Sequence, residues 1–177
     1  MNFQEIKDNL TQAIMNFITA DRDLLLYDSH ERAITHKLAE HMGGCFRDWN
    51  IDCEYDRIGK EKQQKLIHYS KEAFIEARKS GLIPDHIISY EQLLQSEYKT
   101  RVFPDIIVHK RGNINANLMV LEVKKANNTD VSLGWDQWKL QFFVHSLHYF
   151  TGTFVVFNTG IDSSKWEDLV ASIEWFQ

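Results

Sequence analysis

Two carboxylates and a lysine lie inside segments that otherwise resemble buried β-strands. Asp105 stands just ahead of the apolar run IIV, and Glu122 and Lys124 interrupt a second apolar run, LMVLEVKK. Because side chains alternate between the two faces of a strand, Asp105 shares a face with Phe103 and Ile107, and Glu122 shares one with Lys124. Burying an unpaired ionised carboxylate costs several kcal/mol, so these acids require a compensating charge.

Two kinds of compensation fit this pattern. The first is a structural ion pair, in which Lys124 or Arg101 satisfies a carboxylate at the end of the sheet. The second is a divalent cation, because carboxylate oxygens on adjacent strands are the hard ligands that Mg²⁺ prefers. The two strands alone leave both interpretations open.

Glu31 is a third acid in an apolar setting. At 100° per residue, it falls on the same side of a helix predicted for residues 28–42 as Ile34 and Leu38. The alternative is a capping box, in which the D-x-x-E pattern of Asp28 and Glu31 satisfies the first amides of the helix. A third acid on a core-facing stripe favours a site over an isolated salt bridge.

The elements that must position these residues follow from hydrophobic periodicity. Helices are predicted for residues 3–19, 28–42, 61–79, 87–98, 134–150 and 163–176, and strands for residues 49–55, 102–109, 118–125 and 152–158. Gly43 and Gly44 are expected to end the second helix, and residues 110–117 to form a hairpin loop. The order predicts a mixed β-sheet flanked by helices, an α/β fold.

Length and composition set broad limits on function. A chain of 177 residues with 44% hydrophobic and 25% charged residues fits one globular domain. The net charge of −5 argues against a protein that coats nucleic acid nonspecifically, but it does not exclude a nucleic-acid enzyme. No signal peptide or membrane span is recognisable, and Cys45 and Cys53 fit reduced thiols, so a cytoplasmic protein without membrane partners is expected.

These motifs together resemble the PD-(D/E)xK nuclease superfamily. The likeness is carried by Phe103-Pro104-Asp105 and, after the hairpin, Leu121-Glu122-Val123-Lys124. The predicted order from residue 28 to residue 158 is similar to the αβββαβ core of the restriction-endonuclease-like fold. Residues 56–101 would form a helical insertion between the first two core strands, within a single domain of residues 1–177.

The resemblance implies a Mg²⁺-dependent endonuclease that hydrolyses phosphodiester bonds of DNA, with Mn²⁺ as a substitute ion. Asp105 and Glu122 would hold the metal, and the carbonyl of Val123 would complete its shell. Lys124 would orient or deprotonate the attacking water, and Glu31 would support the site or a second metal. A homodimer is compatible with cutting both strands, since two active sites are then required.

Substrate contacts are expected from the segment that follows the motif. Lys139 or Gln141 would contact the scissile phosphate, and Lys125 is a further substrate-binding candidate. The alternative for Lys139 and Gln141 is an exposed amphipathic helix face. Trp135 and Trp138 either stack on bases or belong to the core.

A rival function is a catalytically inactive protein that uses the same fold as a module for binding nucleic acid or protein. The acidic net charge and the lack of a separate DNA-reading domain favour it. Other chemistries lack their motifs, since the sequence contains no H-E-x-x-H zinc site, G-x-S-x-G elbow, Walker A loop or dinucleotide-binding G-x-G-x-x-G.

Overall fold

The computed structural model describes residues 1–55, 66–67, 71–79, 83, 85–95, 100–101, 103–127 and 133–177. Its helices are α1 (Phe3–Asp21), α2 (Asp23–Leu26), α3 (Glu31–Cys45), α4 (Lys71–Lys79), α5 (Tyr90–Gln95), α6 (Leu133–Ser146) and α7 (Trp166–Leu169). Its strands are β1 (Asn50–Cys53), β2 (Leu66–Ile67), β3 (Thr100–Arg101), β4 (Ile106–Lys110), β5 (Asn113–Lys125), β6 (Thr151–Phe157) and β7 (Val170–Phe176).

Five of these strands form a mixed sheet in the order β1-β4-β5-β6-β7. Strand β4 is antiparallel to both β1 and β5, β6 runs parallel to β5, and β7 pairs antiparallel with β6. Strands β2 and β3 form a separate antiparallel pair. The predicted α/β class, with a mixed sheet between helices, is therefore confirmed.

Helices α1 and α3 cover one face of the sheet. Their apolar side chains, including Leu10 and Ile34, pack with alternate residues of the central strands, namely Ile106, Val108, Met119, Leu121 and Val123. This alternation explains why β4 and β5 read as nearly continuous apolar runs. Each strand buries side chains on both faces, as is usual for the central strands of an α/β protein.

Helix α6 covers the opposite face. Leu140 and Phe143 pack there against Ile107, Val120 and Phe154. The face that carries Glu122 is thus the face that meets α6. The helix also approaches the sheet closely at Gly152 on β6, where an added Cβ would lie 3.3 Å from Leu140 Cβ.

A buried ion pair fixes the far end of the β1-β4-β5 meander. His109 on β4 lies with its Nε2 atom 2.7 Å from Asp52 Oδ2 on β1. Arg111, in the turn after β4, donates from Nε to the same carboxylate at 2.9 Å and lowers the pKa of Asp52. This clamp joins β1 to the end of β4 and to the turn that leads into β5.

Two sequence predictions for helices were wrong. Residues 163–176 form only the short α7 and then the edge strand β7, because Ile173 and Trp175 alternate onto the α1/α3 side while Phe176 joins the α6 side. In the segment predicted as helix 61–79, Leu66–Ile67 is a strand and the helix begins at Lys71. The rest of that segment lies outside the described residues.

Several predicted boundaries also shift. Helix α3 continues through Gly43 and Gly44 to Cys45, so the glycines do not end it. The predicted loop 110–117 shrinks to a turn at Arg111 and Gly112, whose φ of 76° suits glycine, and β5 begins at Asn113. Part of the predicted strand 102–109 precedes β4, and Val102 lies outside the described residues. No helix in the described ranges is long and apolar enough to cross a membrane.

The close contact at Gly152 predicts a stability effect. In Gly152→Val the new side chain would overlap Leu140 and Val144, which are both packed, so unfolding in urea should show a loss of about 1–3 kcal/mol. Gly43→Ala is the control, because no atom lies within 4 Å of an added Cβ there and the change should stabilise α3 by about 0.5–1 kcal/mol. Equal stability of the Gly152→Val variant and the original protein would contradict this packing.

Candidate functional site

The motif carboxylates lie side by side because of the β4–β5 register. Ile106 pairs with Leu121, so Asp105, which immediately precedes β4, lies beside the end of β5. The backbone amide of Val123 donates to Asp105 Oδ2 at 2.8 Å. Asp105 is close enough to Glu122 for its charge to raise the pKa of Glu122.

Glu122 is fully buried and forms an ion pair with α6. Lys139 Nζ lies 2.7 Å from Glu122 Oε2, and Glu122 Oε1 has no hydrogen-bond partner among the described residues. Burial raises the pKa of Glu122 well above its usual range, and the neighbouring Asp105 and Asp136 add to the effect. Burial alone would lower the pKa of Lys139, but the Glu122 and Asp136 carboxylates outweigh it and raise that pKa.

Asp136 on α6 connects this pair to the second lysine. Its Oδ1 atom lies 3.2 Å from Lys139 Nζ, and its Oδ2 atom lies 3.3 Å from Lys124 Nζ. Lys124 in turn donates to Glu31 Oε1, on the first turn of α3, at 2.9 Å. A continuous chain of alternating charges therefore runs from α3 through β5 to α6. We refer to this chain, together with the neighbouring Asp105, as the charge network.

The charge network carries more negative than positive charge. It combines four carboxyl groups with two ammonium groups: Glu31, Asp105, Glu122, Asp136, Lys124 and Lys139. With all six ionised, four negative and two positive charges leave a net charge of −2. Burial raises the pKa of Asp105 as well, against the opposing effects of the Val123 amide and both lysines. Protons or a bound cation would balance the difference.

A cleft opens beside the charge network. It has a volume of about 280 Å³ and lies between α3 and the segment before β4. Glu31, Arg32 and His36 line it from α3, and Phe103 and Asp105 line it from the other side. Two acids of the network are therefore accessible from outside.

The predicted catalytic residues come together. Glu31, Asp105, Glu122 and Lys124 all belong to the charge network, and Glu31 reaches it from the helix as the sequence predicts. The alternative of a structural ion pair is also realised in part, since Lys124 forms ion pairs, and its partners are Glu31 and Asp136. The side chain of Arg101 lies outside the described residues.

The carboxylates of the charge network fit a magnesium ion that has few protein ligands and keeps several waters. Among the described residues, no group of three or more His, Cys, Asp or Glu side chains is arranged to hold a metal. Mg²⁺, however, is usually bound through one or two carboxylates and keeps several waters. Glu122 Oε1 and Glu31 Oε2 have no hydrogen-bond partner in this part of the chain, and both are hard oxygen donors. Glu122 and Glu31 thus each keep one oxygen that suits such an ion.

The capping-box interpretation of Glu31 is wrong. Helix α3 begins at Glu31 itself, with His30 as its N-cap residue. Asp28 instead accepts hydrogen bonds from Thr159 Oγ1 at 2.6 Å and Lys125 Nζ at 2.9 Å, and these contacts lower the pKa of Asp28 to about 2. Lys125 therefore anchors the turn that leads into α3, and so helps to place Glu31.

The predicted substrate-binding residues have different surroundings. Lys139 is buried in the charge network, whereas Gln141 is exposed on α6. Trp138 is partly buried and stacks on Phe142 with ring centroids 5.8 Å apart. The side chain of Trp135 lies outside the described residues.

Asp136 is the member of the charge network that the sequence predictions missed. The available signal was its spacing, since an acid three residues before Lys139 on one helix forms an i, i+3 pair. Such pairs are common on solvent-exposed helix faces. Only the packing of α6 against β5 shows that this one is buried.

Comparison with protein-family models, with curated proteins and with solved structures finds no match to this chain.

The raised pKa of Glu122 predicts how stability depends on pH. A carboxyl group whose pKa is higher in the folded state than in the unfolded state contributes its full stabilisation below the unfolded pKa, which is about 4.3 for glutamate. This stabilisation is lost as the pH rises through the folded-state pKa. Glutamine cannot ionise. Without added metal, the stability of Glu122→Gln relative to the original protein should therefore increase from pH 5 to pH 8. The increase should be about 1.4 kcal/mol for each unit by which the folded-state pKa of Glu122 exceeds its unfolded-state pKa within this pH range.

Urea unfolding at both pH values measures this difference. Glu167→Gln is the matched control, because Glu167 is exposed. A stability difference between Glu122→Gln and the original protein that stays constant or falls with rising pH would contradict the assigned burial.

Proposed function

We propose that this protein is a divalent-metal-dependent nuclease that hydrolyses DNA phosphodiester bonds, with Mg²⁺ or Mn²⁺ as cofactor. The observation that carries the proposal is the buried charge network, whose formal charge of −2 matches one divalent cation and which borders an open cleft. Structural ion pairs need no such excess of acids. A buried ionic network is also a weak source of stability, so a functional reason for keeping it is favoured.

The ligands proposed for the ion are the Asp105 and Glu122 carboxylates, with the Val123 carbonyl as the resemblance implies. Glu31 is the proposed supporting carboxylate from α3. When bound, the ion would stabilise charge on the phosphate and lower the pKa of a bound water. The protein contributes the fixed placement of these oxygens, since Asp105 is held by the Val123 amide.

Lys124 has the properties of a fixed cation. Burial would lower its pKa, but the Asp136 and Glu31 carboxylates outweigh this and raise it. A lysine with a raised pKa stays protonated near neutral pH. The proposed role is therefore to orient the attacking water and to stabilise negative charge on the phosphate, and not to act as a general base.

The order of elements supports the proposal. Helix α3, strands β1, β4 and β5, helix α6 and strand β6 come in the αβββαβ order expected for a restriction-endonuclease-like core, with β2, α4, α5 and β3 inserted between β1 and β4. That specific arrangement is part of the proposal. The preference for DNA, a homodimeric state and a cytoplasmic location stay predictions.

A second candidate function is a non-catalytic module that binds nucleic acid or protein. One observation favours it: both lysines already neutralise carboxylates, with Lys139 on Glu122 and Lys124 on Glu31. Calorimetry separates the candidates. If no divalent ion binds at millimolar concentration, and Asp105→Asn stabilises the protein, the acids are structural.

Cleavage of DNA tests the nuclease proposal directly. With Mg²⁺ or Mn²⁺ the protein should cut DNA, and Asp105→Ala should abolish cutting because it removes a metal ligand. Lys124→Ala should lower the rate by about 10²–10³-fold, the usual effect of losing one preorganised group that stabilises charge.

Lys165→Ala is the control for Lys124→Ala, because Lys165 is exposed. Unfolding curves should confirm that every variant is folded. The nuclease proposal fails if the protein cuts no DNA with either ion, or if Lys124→Ala cuts as fast as Lys165→Ala.

A further inference from the structure

The cleft beside the charge network indicates which form of DNA reaches it. Phe103 lines the cleft two residues before Asp105, and 46% of its surface is exposed. We infer that the cleft accepts an unpaired nucleotide whose base stacks on Phe103. The substrate class is then single-stranded DNA or a frayed DNA end, and not an intact duplex. This inference rests on the proposed nuclease function.

The charges around the cleft do not favour a duplex. Among the residues that the structure describes, three carboxylates line the cleft, Glu31, Glu54 and Asp105, against one guanidinium. That guanidinium, Arg32, is already paired with Glu54 at 2.9 Å. Affinity for duplex DNA comes largely from basic side chains that neutralise many phosphates. Binding at this cleft must therefore draw on another interaction.

Stacking on an aromatic side chain is that interaction. Stacking tolerates any base, because every base has a π-face, but the base must be unpaired for its face to be accessible. The exposed ring of Phe103 provides such a platform, and His30 and His36 add flat rings to the cleft lining. At about 280 Å³ the cleft is near the lower end of the range of about 300–1,000 Å³ for small-ligand pockets, a size suited to a single nucleotide.

The backbone around Phe103 is anchored, although its ring is exposed. The Phe103 carbonyl accepts a hydrogen bond from Lys139 Nζ at 3.5 Å. The next carbonyl, of Pro104, accepts one from the amide of Glu54 at 3.1 Å. The backbone that carries the ring is thus held in place beside Asp105. A base stacked on Phe103 would bring its own phosphate close to the charge network.

Binding can be measured separately from cleavage. The probes are a fluorescently labelled oligothymidylate and a labelled blunt duplex of the same length. Fluorescence anisotropy follows their binding in the Lys124→Ala background with Mg²⁺, where cutting is slowed by about 10²–10³-fold, and is read before cleavage accumulates. The single strand should bind at least about tenfold more tightly than the duplex. Adding Phe103→Ala should weaken single-strand binding by about 10–100-fold, and Phe103→Trp should retain it.

Phe150→Ala is the matched control, because Phe150 has a similar exposed fraction of 49% and does not line the cleft. It should leave binding unchanged. Affinity of the single strand should also fall only slightly between about 50 and 200 mM salt, since few phosphates are neutralised.

The outcomes separate the inference from the function on which it rests. The inference is overturned if the duplex binds as tightly as the single strand, or if Phe103→Ala and Phe150→Ala behave alike, even when the protein with Lys124 intact cuts DNA. Failure of that protein to bind or cut either form would overturn the nuclease proposal as well.

Discussion

The contact between Glu122 and Lys139 is the interaction on which the rest of the site depends. It joins the central strand β5 to α6 through two buried charges 2.7 Å apart, and neither charge is tolerable there without a partner. Asp136 extends the contact to Lys124, and Lys124 extends it to Glu31 on α3. The helices on both sides of the sheet are thereby tied to one point at the end of β5, beside the cleft.

These ion pairs neutralise only part of the negative charge of the charge network. Two lysines cannot neutralise four carboxylates. Burial also raises the pKa values of Asp105 and Glu122. Without a cation the acids are expected to retain protons at higher pH than usual, and a divalent ion would displace those protons. The same excess of acid that weakens the fold at neutral pH would create affinity for metal, which is why a functional explanation is preferred to a structural one.

Local patterns in the sequence predicted much of this site. Apolar runs interrupted by Asp105 and Glu122 indicated charged residues in buried strands, and helical periodicity placed Glu31 on an inward face. The lysine on α6 and its neighbour Asp136 were harder, because α6 carries apolar residues around its whole circumference and periodicity could not distinguish its buried face. Strand β7 was mistaken for helix because its apolar residues fit both spacings, and only pairing with β6 decides between them.

In the proposed mechanism the charge network binds a divalent cation. A crystal structure of the protein soaked in Mn²⁺, with anomalous scattering recorded for the ion, tests it most directly. We predict one anomalous peak within bonding distance of both Asp105 and Glu122, at about 2.0–2.2 Å from a carboxylate oxygen of each. Absence of a peak there at saturating Mn²⁺, with Lys139 still bound to Glu122, would contradict the claim and leave the acids as structural ion pairs.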